Sequence, residues 1–90
     1  TSLPTGIDEK YIQSGLAIYP NPVSDKLIIV HTSNIKTITL IDALGKIIYF
    51  ENNIDAERKD VNTEYLKPGL YFVSVTLNDG KTVTRKFLKE

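Results

Sequence analysis

The chain has 90 residues, 41% hydrophobic and 24% charged, which suits one globular domain and leaves no room for a second core. Eleven Lys and Arg balance eleven Asp and Glu, so no basic footprint for nucleic acid organises it, and no apolar run is long enough to span a membrane. It contains no cysteine, hence no disulfide framework and no thiolate site, and the redox compartment stays open.

The start, Thr1-Ser2-Leu3-Pro4, carries neither a Met nor a signal-peptide pattern, which predicts an excised piece of a longer precursor. Residues 1–15 read as a flexible linker: Pro4, Gly6 and Gly15 punctuate a polar stretch, with one short docked segment around Tyr11-Ile12. Mobility and protease sensitivity are expected there. Leu3-Pro4-Thr5-Gly6 is similar to the Gram-positive sortase signal, but it lacks a residue between Pro and Thr and stands at the wrong end. It reads as linker.

From residue 16 the sequence is a series of short β-favouring runs between turn signals. Leu16 to Tyr19 is stopped by Pro20-Asn21-Pro22, which removes two backbone donors. Lys26 to Val30 follows, and Asn34 is expected to break the chain before Thr37 to Leu40. Ala43-Leu44-Gly45 forms a turn into Lys46 to Phe50. Glu51 to Asn62 is polar and reads as a loop with an edge strand near Arg58 to Val61. Pro68-Gly69 marks a tight turn, Leu70 to Leu77 is the strongest strand, and Asp79-Gly80 signals a hairpin into Lys81 to Leu88. Seven strands with short connections predict an all-β, antiparallel Greek-key (Ig-like) sandwich. Its expected core is Leu27, Ile29, Ile38, Leu40, Ile47, Tyr71, Val73, Val75, Val83 and Phe87.

Residues with catalytic or ligand potential are few. His31 is the one histidine, so a His/Cys metal site lacks companions, and it reads as an ordinary surface or half-buried residue. Ser24, Ser33 and Ser74 sit in no nucleophile elbow. Asp55, Glu57, Asp60 and Glu64 lack the spacing of a Ca²⁺ loop and enclose Arg58 and Lys59, so a solvated, charge-mixed loop is favoured. Neither a catalytic residue, a metal nor a cofactor is assigned. Alternation separates neighbouring aromatics, yet Phe72 with Ile48 or Phe50 can share an outer face and leave an apolar patch. Residues 51–64 hold five acids and two bases, and residues 81–90 four bases and one acid. Either the two segments compensate one another or the basic tail is presented to a partner.

The punctuation is more specific than the fold. Tyr19-Pro20-Asn21-Pro22 with Asp25, then Leu40-Ile41-Asp42-Ala43-Leu44-Gly45-Lys46, then Leu66-x-Pro68-Gly69-Leu70-Tyr71-Phe72-Val73, and last Gly80-Lys81-x-Val83 with Lys86-Phe87-Leu88-Lys89, occur in order. Over residues 16–90 this resembles the C-terminal sorting domain of type IX secretion cargo (the type A, or Por-secretion, family) of Bacteroidetes-type bacteria. The resemblance implies a seven-stranded sandwich that directs an upstream cargo from the periplasm through the outer-membrane translocon to the cell surface or medium. It implies, too, that a sortase-like surface protease then removes the domain. It also implies that the last residues are read by the translocon, so Lys86, Phe87, Leu88 and Lys89 are the candidate recognition residues. The turns Pro20-Asn21-Pro22, Gly45-Lys46, Pro68-Gly69 and Asp79-Gly80 carry the motif. A monomer without nucleic-acid or membrane-spanning function is expected. The rival reading is an extracellular Ig-like adhesion or carbohydrate-binding module.

Overall fold

The computed structural model describes residues 15–90; the expectations for the segment before Gly15 lie outside them. Six strands form: β1 (Leu16–Tyr19), β2 (Lys26–Asp42), β3 (Ile47–Glu51), β4 (Ala56–Asn62), β5 (Gly69–Leu77) and β6 (Thr82–Lys89). No helix occurs among the described residues. All strand pairs are antiparallel and belong to one sheet, in which β2 lies against β1 and β5 on one side and β3 and β4 on the other. β6 completes a hairpin with β5.

Two expectations are corrected here. The strand count among the described residues is six, because Asn34 does not end a strand. The strands also join into one curled sheet, where two sandwiched layers were expected. Both differences come from β2. A straight 17-residue strand would span roughly 54 Å, but the molecule's longest dimension is 32 Å. β2 therefore bends, and it does so at residues 31–34, which lie between Val30 opposite Arg58 and Ile35 opposite Ala56. The bend keeps its backbone groups bonded: Thr32 N donates to Gly15 O (3.2 Å), and Asn78 N donates to Asn34 O (3.2 Å). A second irregularity, between Ile35 and Thr37 opposite β5, shifts the alternation by one. Leu27, Ile29, His31 and Ile35 point inward before it, and Ile38 and Leu40 after it.

The curled sheet wraps one core. Leu16, Val23, Leu27, Ile29, Ile35, Ile38, Leu40, Val61, Val73, Val75 and Phe87 are buried, with Leu66, Tyr71 and Leu77 at its margin. Val83 is half-buried against it. Ile47, an expected core residue, is 60% exposed. The step from Leu40 to Ile41 faces the step from Tyr49 to Ile47, so Ile48 is the extra residue of a bulge and turns toward the core in its place.

His31 differs as well. It is buried, because it falls in the inward phase of β2 and packs against Gly15. Its Nδ1 accepts from Ser33 N at 2.8 Å, which leaves the ring proton on Nε2. Gly15 has φ +78°, and a Cβ there would stand 2.5 Å from Thr32 Oγ1, so only glycine fits this approach.

Candidate functional site

Three of the four motif turns lie at one end of the sheet, the end at which β6 finishes. Pro20 and Pro22 carry no N–H, so the segment after β1 cannot continue the ladder; both preceding peptide bonds are cis. Its remaining groups turn to the C-terminal strand instead. Val23 N donates to Leu88 O (2.7 Å), and Glu90 N donates to Val23 O (3.0 Å). Leu88 N donates to Asn21 Oδ1 (3.0 Å) across 67 positions of sequence. On its other flank the segment is held by Thr63, which is fully buried: Thr63 N donates to Asp25 O (2.9 Å), and Thr63 Oγ1 donates to Ser24 O (3.2 Å).

The next two motifs flank this clamp. Gly69, with φ +151°, stands opposite Lys89, and the Tyr71 hydroxyl donates to Lys67 O (2.6 Å), fixing the Lys67-Pro68-Gly69 turn. Tyr71 stacks on Phe87, with ring centroids 5.7 Å apart. In the Asp42–Lys46 turn, Asp42 Oδ1 accepts from Leu44 N and Lys46 N, both at 2.9 Å, and Gly45 takes φ +89°. That turn leaves Leu44 94% exposed at its tip. Asp79-Gly80 lies apart from these, at the opposite end of β5 and β6, where Asp79 Oδ1 caps Lys81 N.

The four candidate recognition residues fall in three environments. Lys86 is exposed opposite Phe72, and Leu88 is exposed opposite Leu70. Lys89 is half-buried, with its ammonium donating to Glu90 O (3.3 Å). Phe87 is buried in the core, so it anchors the strand and cannot itself touch a partner while the domain is folded. With Phe87 in the core and Leu88 to Glu90 clamped, the last five residues hold the fold together as well as carrying the candidate recognition side chains.

Two of the five acids of residues 51–64 are paired locally. Glu51 pairs with Lys59 (3.0 Å), and Asp60 with Arg58 (2.9 Å) and Lys26 (3.9 Å). The Tyr49 hydroxyl donates to Glu51 Oε1. This bond and the one from Lys59 hold the Glu51 carboxyl below its ordinary range. Burial, helped by the Glu51 bond and charge, pushes the Tyr49 phenol up to about 12. Arg58 holds the Asp60 carboxyl low in the same way. None of these pairs reaches Lys86 or Lys89. Asp55 is turned to the hairpin end, where one oxygen accepts from the Asn34 amide (3.0 Å) and the Asn78 amide (3.1 Å). Asp55, Glu57, Asp60 and Glu64 are thus not gathered into a metal-binding group among the described residues.

The secretion-system C-terminal sorting domain family matches residues 17–90. The chain belongs to this family. Among solved structures, the sorting domain is similar in fold to part of PorZ, described as an essential bacterial surface component of the type-IX secretion system of Porphyromonas gingivalis. The likeness has a TM-score of 0.69 at 20% identity, covering 84% of this chain and 11% of PorZ. No curated protein matches the chain. Two residues of the sorting domain's clamp were not read from the sequence. Val23 follows Pro22 in no alternating run, and Thr63 lies in a polar stretch, so neither carries a burial signal.

Proposed function

We propose that this sorting domain is a non-catalytic address. It directs an attached upstream cargo from the periplasm through the type IX outer-membrane translocon to the cell surface or the medium. A sortase-like surface protease then separates the domain from its cargo within or just upstream of residues 1–15, the linker. The domain acts as a monomer.

The observation that carries this reading is the family match over residues 17–90. The geometry supports it. Two of the four motif turns, Pro20-Asn21-Pro22 and Pro68-Gly69, meet the C-terminal strand, and the clamp presents Lys86 and Leu88 outward in a fixed register, with Lys89 beside them. Preorganising a surface in this way lowers the ordering cost of recognition. Phe87 contributes by holding the strand from below.

The test is portability. Residues 1–90 are fused behind a foreign periplasmic protein in a type IX-competent host, and surface fluorescence or surface protease sensitivity is measured. Export with release of the foreign protein is the expected result. Retention in the periplasm together with binding on a glycan array would replace this reading with the adhesion or carbohydrate-binding module. N-terminal sequencing of the released domain locates the cut, and a cut within residues 20–88 would count against cleavage in the linker.

A further inference from the structure

The outer face of β3, the second half of β2, β5 and β6 has two unlike halves. Toward the hairpin end its cross-strand rows are hydroxyls: Thr37, Thr76 and Thr82 in one, Thr39, Ser74 and Thr84 in the next, with Phe50 at the β3 edge. Such a row is what a water-facing antiparallel sheet is expected to show. Toward the C-terminal end the same positions become apolar. Ile47, Ile41 and Phe72 form one row that ends at Lys86, and Leu70 and Leu88 stand side by side beyond it. Ile47 is 60% exposed, Leu88 48% and Leu70 38%.

We infer that this apolar half-face is a docking surface for a partner protein whose contacting segment is apolar and carries a carboxylate opposite Lys86. The inference rests on the export reading above and deepens it, by making the address a four-strand face rather than the last strand alone. Contiguous exposed apolar side chains on a sheet mark an interaction surface. Charge selects the occupant. Lys86 is the one charged side chain in these two apolar rows, and it makes no ion pair among the described residues. Asp42 and Glu51 stand in the inward phase of their strands and are engaged there, Asp42 in its turn and Glu51 with Tyr49 and Lys59. An anionic bilayer would gain only ~1 kcal/mol from one lysine near its surface. A protein segment with an Asp or Glu among apolar residues satisfies both parts of the face.

The experiment uses the full 90-residue fusion described above, with a photo-crosslinking amino acid at Leu70 or, as a control, at Thr84. The expected result is one cross-linked protein from position 70 and none from 84, with an Asp or Glu in the cross-linked peptide. Ile47→Ser and Phe72→Ser should each cut surface delivery by about tenfold, as truncation of an interface anchor does, while Thr39→Ser leaves it unchanged. Lys86→Glu should abolish the cross-link, and exchanging the partner's acid for Lys should restore it. Circular dichroism of each variant separates lost docking from lost folding. If folded Ile47→Ser and Phe72→Ser domains are exported as the parent is, the inference is overturned and the export reading stands. If the parent fusion stays in the periplasm yet cross-links through position 70 with charge-exchange rescue, the docking surface stands and the export reading falls. A domain that sediments as a dimer dispersed by Ile47→Ser, or one that floats with phosphatidylglycerol vesicles, overturns the choice of partner.

Discussion

At the C-terminal end of the sheet, segments far apart in sequence are joined by backbone hydrogen bonds over buried side chains: Val23 and Glu90 through the main chain, Asn21 and Leu88 through one amide oxygen, with Phe87, Val23 and Thr63 beneath. At the hairpin end a single backbone bond, from Asn78 N to Asn34 O, is accompanied by exposed side chains, the amides of Asn34 and Asn78 converging on one oxygen of Asp55. The difference lies in what water can replace. An exposed amide that loses its partner finds a water molecule, whereas a broken clamp uncovers apolar surface and strands backbone donors. The family motifs are concentrated at the end where substitution is expensive, and only Asp79-Gly80 sits at the other.

The sharpest way to break this contrast is to remove Lys86–Glu90. The deletion takes Phe87 from the core, and truncating a buried Phe alone costs about 3–5 kcal/mol. We expect no cooperative thermal transition from the deleted domain, and a normal melt would refute the clamp. Phe87→Ala should lower Tm by more than about 12 °C, at ~4–8 °C per kcal/mol for a domain of this size. Next comes Asn21→Ala, with an expected loss of about 1 kcal/mol and faster amide exchange at Leu88. Its counterpart Asn78→Ala at the hairpin end should stay within about 0.5 kcal/mol. Equal losses at the two ends would erase the distinction.

Between the ends, Tyr49 offers a test by pH. Its phenol is raised from an ordinary 10.0 to about 12 in the folded domain. The neutral form is favoured on folding, so this contribution is complete below the unfolded value and is lost as pH rises from there through the folded value. Tyr49→Phe should flatten that alkaline loss, measured as Tm against pH. The smallest effect is expected from Lys86→Ala with Lys89→Ala: less than about 0.5 kcal/mol in stability, as for other surface charges, with surface delivery reduced.

Much of this architecture was legible in the sequence. Alternation in Leu70 to Leu77 and Thr82 to Leu88 placed Tyr71, Val73, Val75 and Phe87 inward, and the Asp79-Gly80 turn joined the two strands as expected. Alternation failed where the chain inserts a residue. The shift at Leu40/Ile41 turns Ile48 inward in place of Ile47, and nothing in the composition of Ile48 announces it; beyond the shift at Ile35/Thr37, Ile38 and Leu40 face inward as expected. The bend at residues 31–34 was hidden for a related reason. Asn34 carries a turn signal, but its carbonyl is bonded to Asn78, a partner 44 positions away that no local pattern names. The candidate site was legible as motifs but not as a meeting place, since the pairing of Asn21 with Leu88 is a property of the closed sheet.

The bend in β2 also decides how the domain can be held and how it can be approached. Gly15 joins the fold beside Thr32, at the hairpin end, while Leu88 to Glu90 finish at the other, with β1 running between them. A body attached ahead of Gly15 therefore grips the domain like a key by its bow, with the cut edge pointing away. Leu70, Leu88 and Lys86 stand at the far end from that entry, so the way in and the cut edge have no residue in common.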